Sequence, residues 1–277
     1  MEEIKYPLPK RTLKPRQCGL TMVIDKGLGI SAYKDLLNLA GEKIDFLKLG
    51  FGTAAFYPLN ILQDKIFLAK EKKIDIYFGG TFLEIIIWQN KLNEYLTWLK
   101  ELGLDVVEVS DGTIYLSEAK RALVIKEAQK MGFKVLSEVG KKNIKDERAI
   151  SYRIKQIKND LMLGVCKVIV EGRESGKGIG LYDDSGRIKH DDLQSLTVAG
   201  INTDNLIFEA PLKNQQTELI ALFGNNVNLG NILPDEVLAL EALRLGLRGD
   251  TFRLALEEEK NEDRDLCFAQ GSGRTQR

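Results

Sequence analysis

A repeating unit constrains this chain more than any other feature. Short β-favouring runs at residues 20–25, 44–49, 74–78, 105–110, 133–139, 167–171, 205–210 and 226–229 alternate with stretches of helical periodicity, among them 32–41, 59–72, 81–102, 117–131, 146–163 and 234–245. A strand followed by an amphipathic helix pairs with its successor in parallel, and eight such units can close on themselves. The expected fold class is therefore α/β, a single (β/α)8 TIM barrel. Its length of 277 residues suits one such domain, since barrels of this kind run to about 250 residues. The barrel is expected over residues 18–256. An extended N-terminal arm of residues 1–17 precedes it, because Pro7, Pro9 and Pro15 among charges oppose a helix. Residues 257–277 turn charged and then rich in Gly, Ser and Gln, which predicts a disordered tail.

Local chemistry marks several boundaries. Thr81 followed by Glu84 is a capping-box pattern for the third helix, and Pro234 with Asp235 and Glu236 opens the last. Gly103 and Gly132 stand where helices must stop before the next strand.

Charge excludes several classes of function. Forty basic and forty acidic residues cancel, so no global field draws in nucleic acid or an anionic membrane, and anion selectivity must be local. No apolar run reaches about 18 residues, the length a membrane-spanning helix requires, and the start lacks signal-peptide order. Cys18, Cys166 and Cys267 are odd in number and contain no C-x-x-C pair, against a disulfide framework or thiolate zinc site. A cytoplasmic location is the expectation, and association into a homo-oligomer is left open.

In a closed parallel barrel the active site lies at the carboxyl ends of the strands. Glu108, Glu138, Glu171 and Glu209 come late in the runs of strands four to seven, and Asp25 and Asp111 sit just past two strand ends. A carboxylate late in a buried strand costs several kcal/mol unless paired or bound to a cation, and Mg2+ takes one or two such oxygens directly. Cations share the same ends: Lys26 after strand one, Lys48 late in strand two, Lys141 and Lys142 after strand five, Arg173 after strand six and Lys213 after strand seven. Carboxylates combined with lysines and an arginine suit a small, multiply anionic substrate held by metal and side chains together. Asn228, Gly230 and Asn231 are expected after strand eight, where barrels place phosphate against loop amides.

Two glycine motifs are set aside. GLGISA at residues 27–32 imitates a dinucleotide fingerprint, but the second strand ends in Lys48-Leu49-Gly50 where an acidic residue is required. EGRESGKGIG at residues 171–180 is one residue too short for a P-loop and has glycine after its lysine, so it is read as a mobile loop or lid. His190 is the only histidine, which excludes histidine-based triads and multi-histidine metal sites.

Nine stretches in order, GLTMVIDKGLG, IDFLKLGFGTA, GGTFLE, VEVSDGTI, SEVGKK, IVEGRESGKGIG, IFEAP, NVNLGNI and LEALRLGLRGDTF, resemble the phosphosulfolactate synthase family from residue 19 to residue 252. The resemblance implies a (β/α)8 barrel that adds sulfite to phosphoenolpyruvate with magnesium, forming (2R)-2-O-phospho-3-sulfolactate, a carbon–sulfur lyase on routes to coenzyme M or sulfolactate. It also implies protonation of substrate C2 by a lysine, Lys141 by resemblance and position, with Lys142 in competition. Magnesium is then held by a subset of Glu108, Asp111, Glu138 and Glu171, with Lys26, Lys48 and Arg173 against sulfite or phosphate. Plant heat-stress-associated proteins share the likeness, so a non-catalytic barrel is the alternative, as is another enzyme acting on phosphoenolpyruvate or an enolate.

Overall fold

The structure is a computed structural model and describes residues 5–141 and 149–257. Eight parallel strands form the barrel: β1 Thr21–Asp25, β2 Phe46–Leu49, β3 Asp75–Phe78, β4 Val106–Val109, β5 Lys134–Val139, β6 Lys167–Val170, β7 Leu206–Glu209 and β8 Leu229–Ile232. The ladder order is β3-β2-β1-β8-β7-β6-β5-β4. Its two ends lie side by side, and the Gly80 N–H donates to Glu108 Oε1 across that seam at 2.5 Å. The helices are α1 Ile30–Ala40, α2 Leu59–Glu71, α3 Gly80–Trp88, α4 Leu92–Glu101, α5 Glu118–Lys130, α6 Ile150–Met162, α7 His190–Val198, α8 Lys213–Phe223 and α9 Val237–Arg244. No helix among the described residues is long and apolar enough to cross a membrane.

Strand alternation sorts the barrel into two cores. One face of each strand packs outward on the helices, as Val23, Leu47, Val107, Val135, Val168 and Phe208 do. The other faces inward, where Leu20, Met22, Phe46, Tyr77, Val106, Leu136, Ile169 and Ile207 form an apolar layer across the middle. Continuing inward-facing positions toward the carboxyl ends gives Lys48, Glu108, Glu138 and Glu209, all buried.

Three expectations require correction. The single helix expected at residues 81–102 is two, α3 and α4, because Asn90 breaks the run in a left-handed conformation, φ 58°. The capping box is also absent: α3 starts after Gly79 without a side-chain cap, and Glu84 turns inward to take the β4–α5 loop. The eighth strand lies three residues later than expected. Leu-Gly-Asn-Ile forms it despite weak strand preferences, while Asn228 precedes it and joins β1 to the β7 entry with its amide.

The arm has no helix or strand from residue 5 to residue 20. It crosses the amino-terminal end of the barrel, where Arg11 pairs with Glu241 at 3.0 Å and Asn225 Nδ2 donates to the Pro9 carbonyl at 2.6 Å. Gly103 and Gly132 do end helices at positive φ, as their positions predict.

Candidate active site at the carboxyl ends of the strands

The mouth of the barrel holds a cavity of about 540 Å³, and Lys48, Glu138, Glu171, Glu209, Arg173 and Asn231 are among its walls. Lys48 rises from β2 into the centre. Its Nζ lies 3.1 Å from Glu108, 3.2 Å from Glu138 and 3.3 Å from Glu209, three strands' worth of carboxylate on one ammonium. Burial is the largest single influence on Lys48 and alone would lower its pKa. Glu108, Glu138 and Glu209 together outweigh burial, so the pKa lies well above the ordinary lysine value.

Adjacent strands bring together Glu138, Glu171 and Glu209, whose oxygens, one from each, lie within 4.8 Å of one another. With Glu108, four buried carboxylates face one buried ammonium, a formal excess of three negative charges. Such an excess is costly in a barrel interior, and a hard divalent cation on the triad relieves it. The donor set fits: all three are carboxylate oxygens. Asn231, 3% exposed on the same cavity, adds a side-chain Oδ1 with no hydrogen-bond partner among the described residues. The buried acidic triad can therefore bind a metal.

The glutamates are also held by the backbone. Glu209 Oε2 accepts from the Gly172 and Arg173 amides at 3.0 and 3.1 Å, and Glu171 Oε1 from Arg173 at 2.8 Å. Arg173 stands at φ 59°, an uncommon conformation for a side-chain-bearing residue. These bonds help to hold it there and set Arg173 and Glu174, the start of the 172–189 loop, in the wall of the mouth. Gln215 from α8 ties the loop down by donating to the Gly176 and Gly186 carbonyls. Gly140 has φ 138°, and a Cβ there would collide with Glu171, so the chain leaves β5 at the position where a side chain is excluded.

The other expected residues are dispersed. Asp111 lies outside the triad, paired with Arg121 of α5 and with Lys141, each at 3.2 Å, and bonded by Gln156 of α6. Lys141 donates to the Asp111 carbonyl, to Asp111 Oδ2 and to the Ile114 carbonyl, so its ammonium rests in the β4–α5 loop beside the cavity. Lys142 lies outside the described residues. Lys26 is exposed at the rim, 6.0 Å over the Phe51 ring. Asn228 is at the opposite end of the barrel: it accepts from the Leu20 amide and donates to the Asp204 and Leu206 carbonyls. Lys213 reaches Asp250 at 3.0 Å.

Two further groups shape the site: Glu84, which its spacing from Thr81 marks only as a helix cap, and Arg121, which no motif marks. Glu84, 1% exposed, accepts from Ser110 Oγ and from the Gly112, Thr113 and Ile114 amides, and so shapes the loop that carries Asp111. Arg121 joins Asp111, Asp160 and the Glu138 carbonyl. Both come from helices rather than strand ends, where the order of residues does not single them out. The GLGISA amides are already used: Gly27 and Leu28 donate to Asp25 Oδ1, the place a phosphate would take.

Residues 9–250 match the family model described as (2R)-phospho-3-sulfolactate synthase (ComA). The phosphosulfolactate synthase of Methanocaldococcus jannaschii is 45% identical over 238 residues, 85% of this chain and 94% of that protein. That of Bacillus subtilis is 38% identical over 256 residues, 92% and 100% of the two. Among solved structures, 3-hexulose-6-phosphate synthase from Salmonella typhimurium is similar with a TM-score of 0.52, covering 86% of this chain and 99% of that one. At 13% identity it speaks to the barrel alone.

Proposed function

The chain belongs to the (2R)-phospho-3-sulfolactate synthase family, and from that membership we propose a magnesium-dependent addition of sulfite to phosphoenolpyruvate, giving (2R)-2-O-phospho-3-sulfolactate. The observation that carries the reading is the convergence of Glu138, Glu171 and Glu209 with Lys48 in one cavity at the strands' carboxyl ends. The chain is an enzyme with small-molecule substrates; we assign it to the carbon–sulfur lyases, because the reverse reaction eliminates sulfite, and to the cytoplasm.

Sulfite is already a good nucleophile, so the difficulty is the electron-rich alkene. Attack at C3 pushes charge through C2 into the substrate carboxylate, forming an aci-carboxylate dianion. Magnesium held by Glu138, Glu171 and Glu209 would supply Lewis-acid stabilisation of that charge. Lys48 faces the same place with a fixed ammonium, and preorganised charge of this kind is worth several kcal/mol in a water-poor site. Arg173 at the rim and the Asn231 amide suit the phosphoryl group and sulfite, with Lys26 at the outer edge as an attractor.

Lys48 and Lys141 divide the remaining work. Three carboxylates hold the Lys48 proton, which suits charge stabilisation and opposes proton transfer. Among the described residues Lys141 meets one carboxylate, already shared with Arg121, and two neutral carbonyls. Its ammonium is the easier to draw away, and Gly140 beside it supplies the turn. We therefore assign the C2 proton to Lys141.

Incubation with phosphoenolpyruvate, sulfite and magnesium should consume the enol absorbance and yield the phosphosulfolactate mass. No consumption by folded, metal-loaded protein would overturn the proposal. Lys141→Ala should lower kcat about a hundredfold or more with little change in KM for phosphoenolpyruvate. Near-normal kcat moves the proton to another residue. Because Lys141 also satisfies two loop carbonyls, the variant should lose about 1–3 kcal/mol of stability, read from urea unfolding.

A further inference from the structure

The barrel has a second polar layer, around its opening at the end away from the mouth. β5 reads Lys134, Leu136, Glu138 at alternate positions, and β6 with the residue that follows it reads Lys167, Ile169, Glu171, so each carries a lysine and a glutamate on one face with an apolar residue between. Four residues of strand separate the two charges by about 13 Å. Leu136 and Ile169 belong to the apolar layer that fills the barrel's middle, with Met22, Phe46, Tyr77 and Ile207. The lysine end is thus walled off from the mouth.

Beneath that layer lies a cavity of about 380 Å³, a volume within the range of small-ligand pockets. Lys14, Arg16, Lys70, Lys73, Lys134 and Lys167 line it, against only Asp45 and Asp75. Several of these cations are already engaged. Lys134 is 2.8 Å from Asp75, Lys70 is 2.7 Å from Asp105, Arg16 is 3.4 Å from Asp45, and Lys14 donates to the Gly41 and Lys72 carbonyls.

Lys167 is not engaged. It is 6% exposed, and its side chain has no hydrogen bond or ion pair among the described residues. Lys73, exposed at the cavity's edge, also has none. Its stem is buried while its ammonium keeps access to the cavity, where neither Asp45 nor Asp75 is within bonding distance of it, so an anion entering the cavity meets an unpaired cation. With six cations and two carboxylates in the wall, a ligand of two charges balances the site better than one of one charge.

We propose that this cavity is a second, non-catalytic site for a small dianionic tetrahedral oxyanion, phosphate or sulfate in type, anchored by Lys167. Arg16 and Lys14 come from the N-terminal arm, so the bound anion ties the arm to the barrel floor and stabilises the fold. The exposed thiol of Cys166 lines the same cavity and reports on its occupancy.

The test uses the full chain with its mouth saturated by phosphoenolpyruvate and magnesium, without sulfite, and inorganic phosphate as the probe. Phosphate should still bind by calorimetry, raise the unfolding temperature, and slow maleimide alkylation of Cys166, followed peptide by peptide, about fivefold or more. Lys167→Gln should weaken that binding about tenfold or more while leaving turnover and KM at wild-type values. Lys73→Gln, at an exposed position that tolerates substitution, should weaken it less and serves if the first variant does not fold. A parallel titration with sulfate separates the two oxyanion sources: binding of either through Lys167 supports the site. Loss of phosphate binding when the mouth is filled, equal binding by wild type and Lys167→Gln, or unprotected Cys166 would each overturn it. None of these outcomes depends on the synthase reaction, so failure here leaves the proposed function standing.

Discussion

Lys48→Met is expected to lower turnover about 10²- to 10³-fold, the loss that follows removal of one preorganised charge or donor at a reacting oxyanion, and also to destabilise the protein. The ammonium is within 3.3 Å of Glu108, Glu138 and Glu209, and all four groups are buried. Breaking a buried network by removing one partner costs about 3–5 kcal/mol, out of the roughly 5–15 kcal/mol that holds a domain together. The pH dependence fixes the cause. In the wild type the Lys48 pKa is raised, so its contribution is complete below the unfolded lysine value of about 10.4 and is lost only as pH rises through the higher folded value. In the variant the stranded carboxylates gain protons in the folded state before the unfolded one. Stability then falls as pH rises, and the gap from wild type narrows on going from about pH 7.5 to about pH 5.5. Urea unfolding at the two values measures it. A gap that is small, or the same at both, would show that the carboxylates do not rely on Lys48.

The second large effect concerns the metal. Chelation should abolish turnover, and Glu171→Gln should raise the magnesium concentration for half-activation about tenfold or more, since a ligating carboxylate is lost from a set of three. A readout independent of turnover is available. Magnesium at about a hundred times its Kd should stabilise the wild type by about 2.7 kcal/mol, or several degrees in Tm, and the variant by much less. Glu108→Gln is the control. Glu108 gives one oxygen to the Gly80 amide and the other to Lys48, so magnesium half-activation should change little, whatever happens to stability. A greater shift in Glu108→Gln than in Glu171→Gln would replace the triad with another ligand set.

The contrast between Glu209 and Asp111 shows where reading residues in order stops short. Both carry acid near a strand's carboxyl end, and spacing alone ranks neither first. Glu209 is a ligand candidate because β7 is next to β6 and its side chain keeps the inward parity of Glu171. Asp111 lies past the end of β4, where parity no longer governs direction, and Arg121 and Gln156 draw it aside from helices whose charged residues belong to no recognisable motif. Asn228 is a related case. A strand written Leu-Gly-Asn-Ile has little intrinsic preference for that state, so residue preferences alone start it three residues early and set an asparagine of the floor beside the mouth.

What the sequence by itself determined follows from local periodicity: eight βα units, the inward parity of the glutamates late in the strands, the glycines that end helices, and the nine stretches that resemble one family. Those depend on neighbours along the chain, and the chain displays them directly. Only the tertiary structure decided that Lys48 serves three carboxylates at once, that Glu138, Glu171 and Glu209 converge on one cavity, and that Lys167 stands on the floor without a hydrogen bond or ion pair among the described residues. Each of these depends on which strands meet across a closed barrel and on how far along its axis a residue stands. Period-two alternation tells which face a residue takes but not its height, and height separates a catalytic mouth from the floor beneath it.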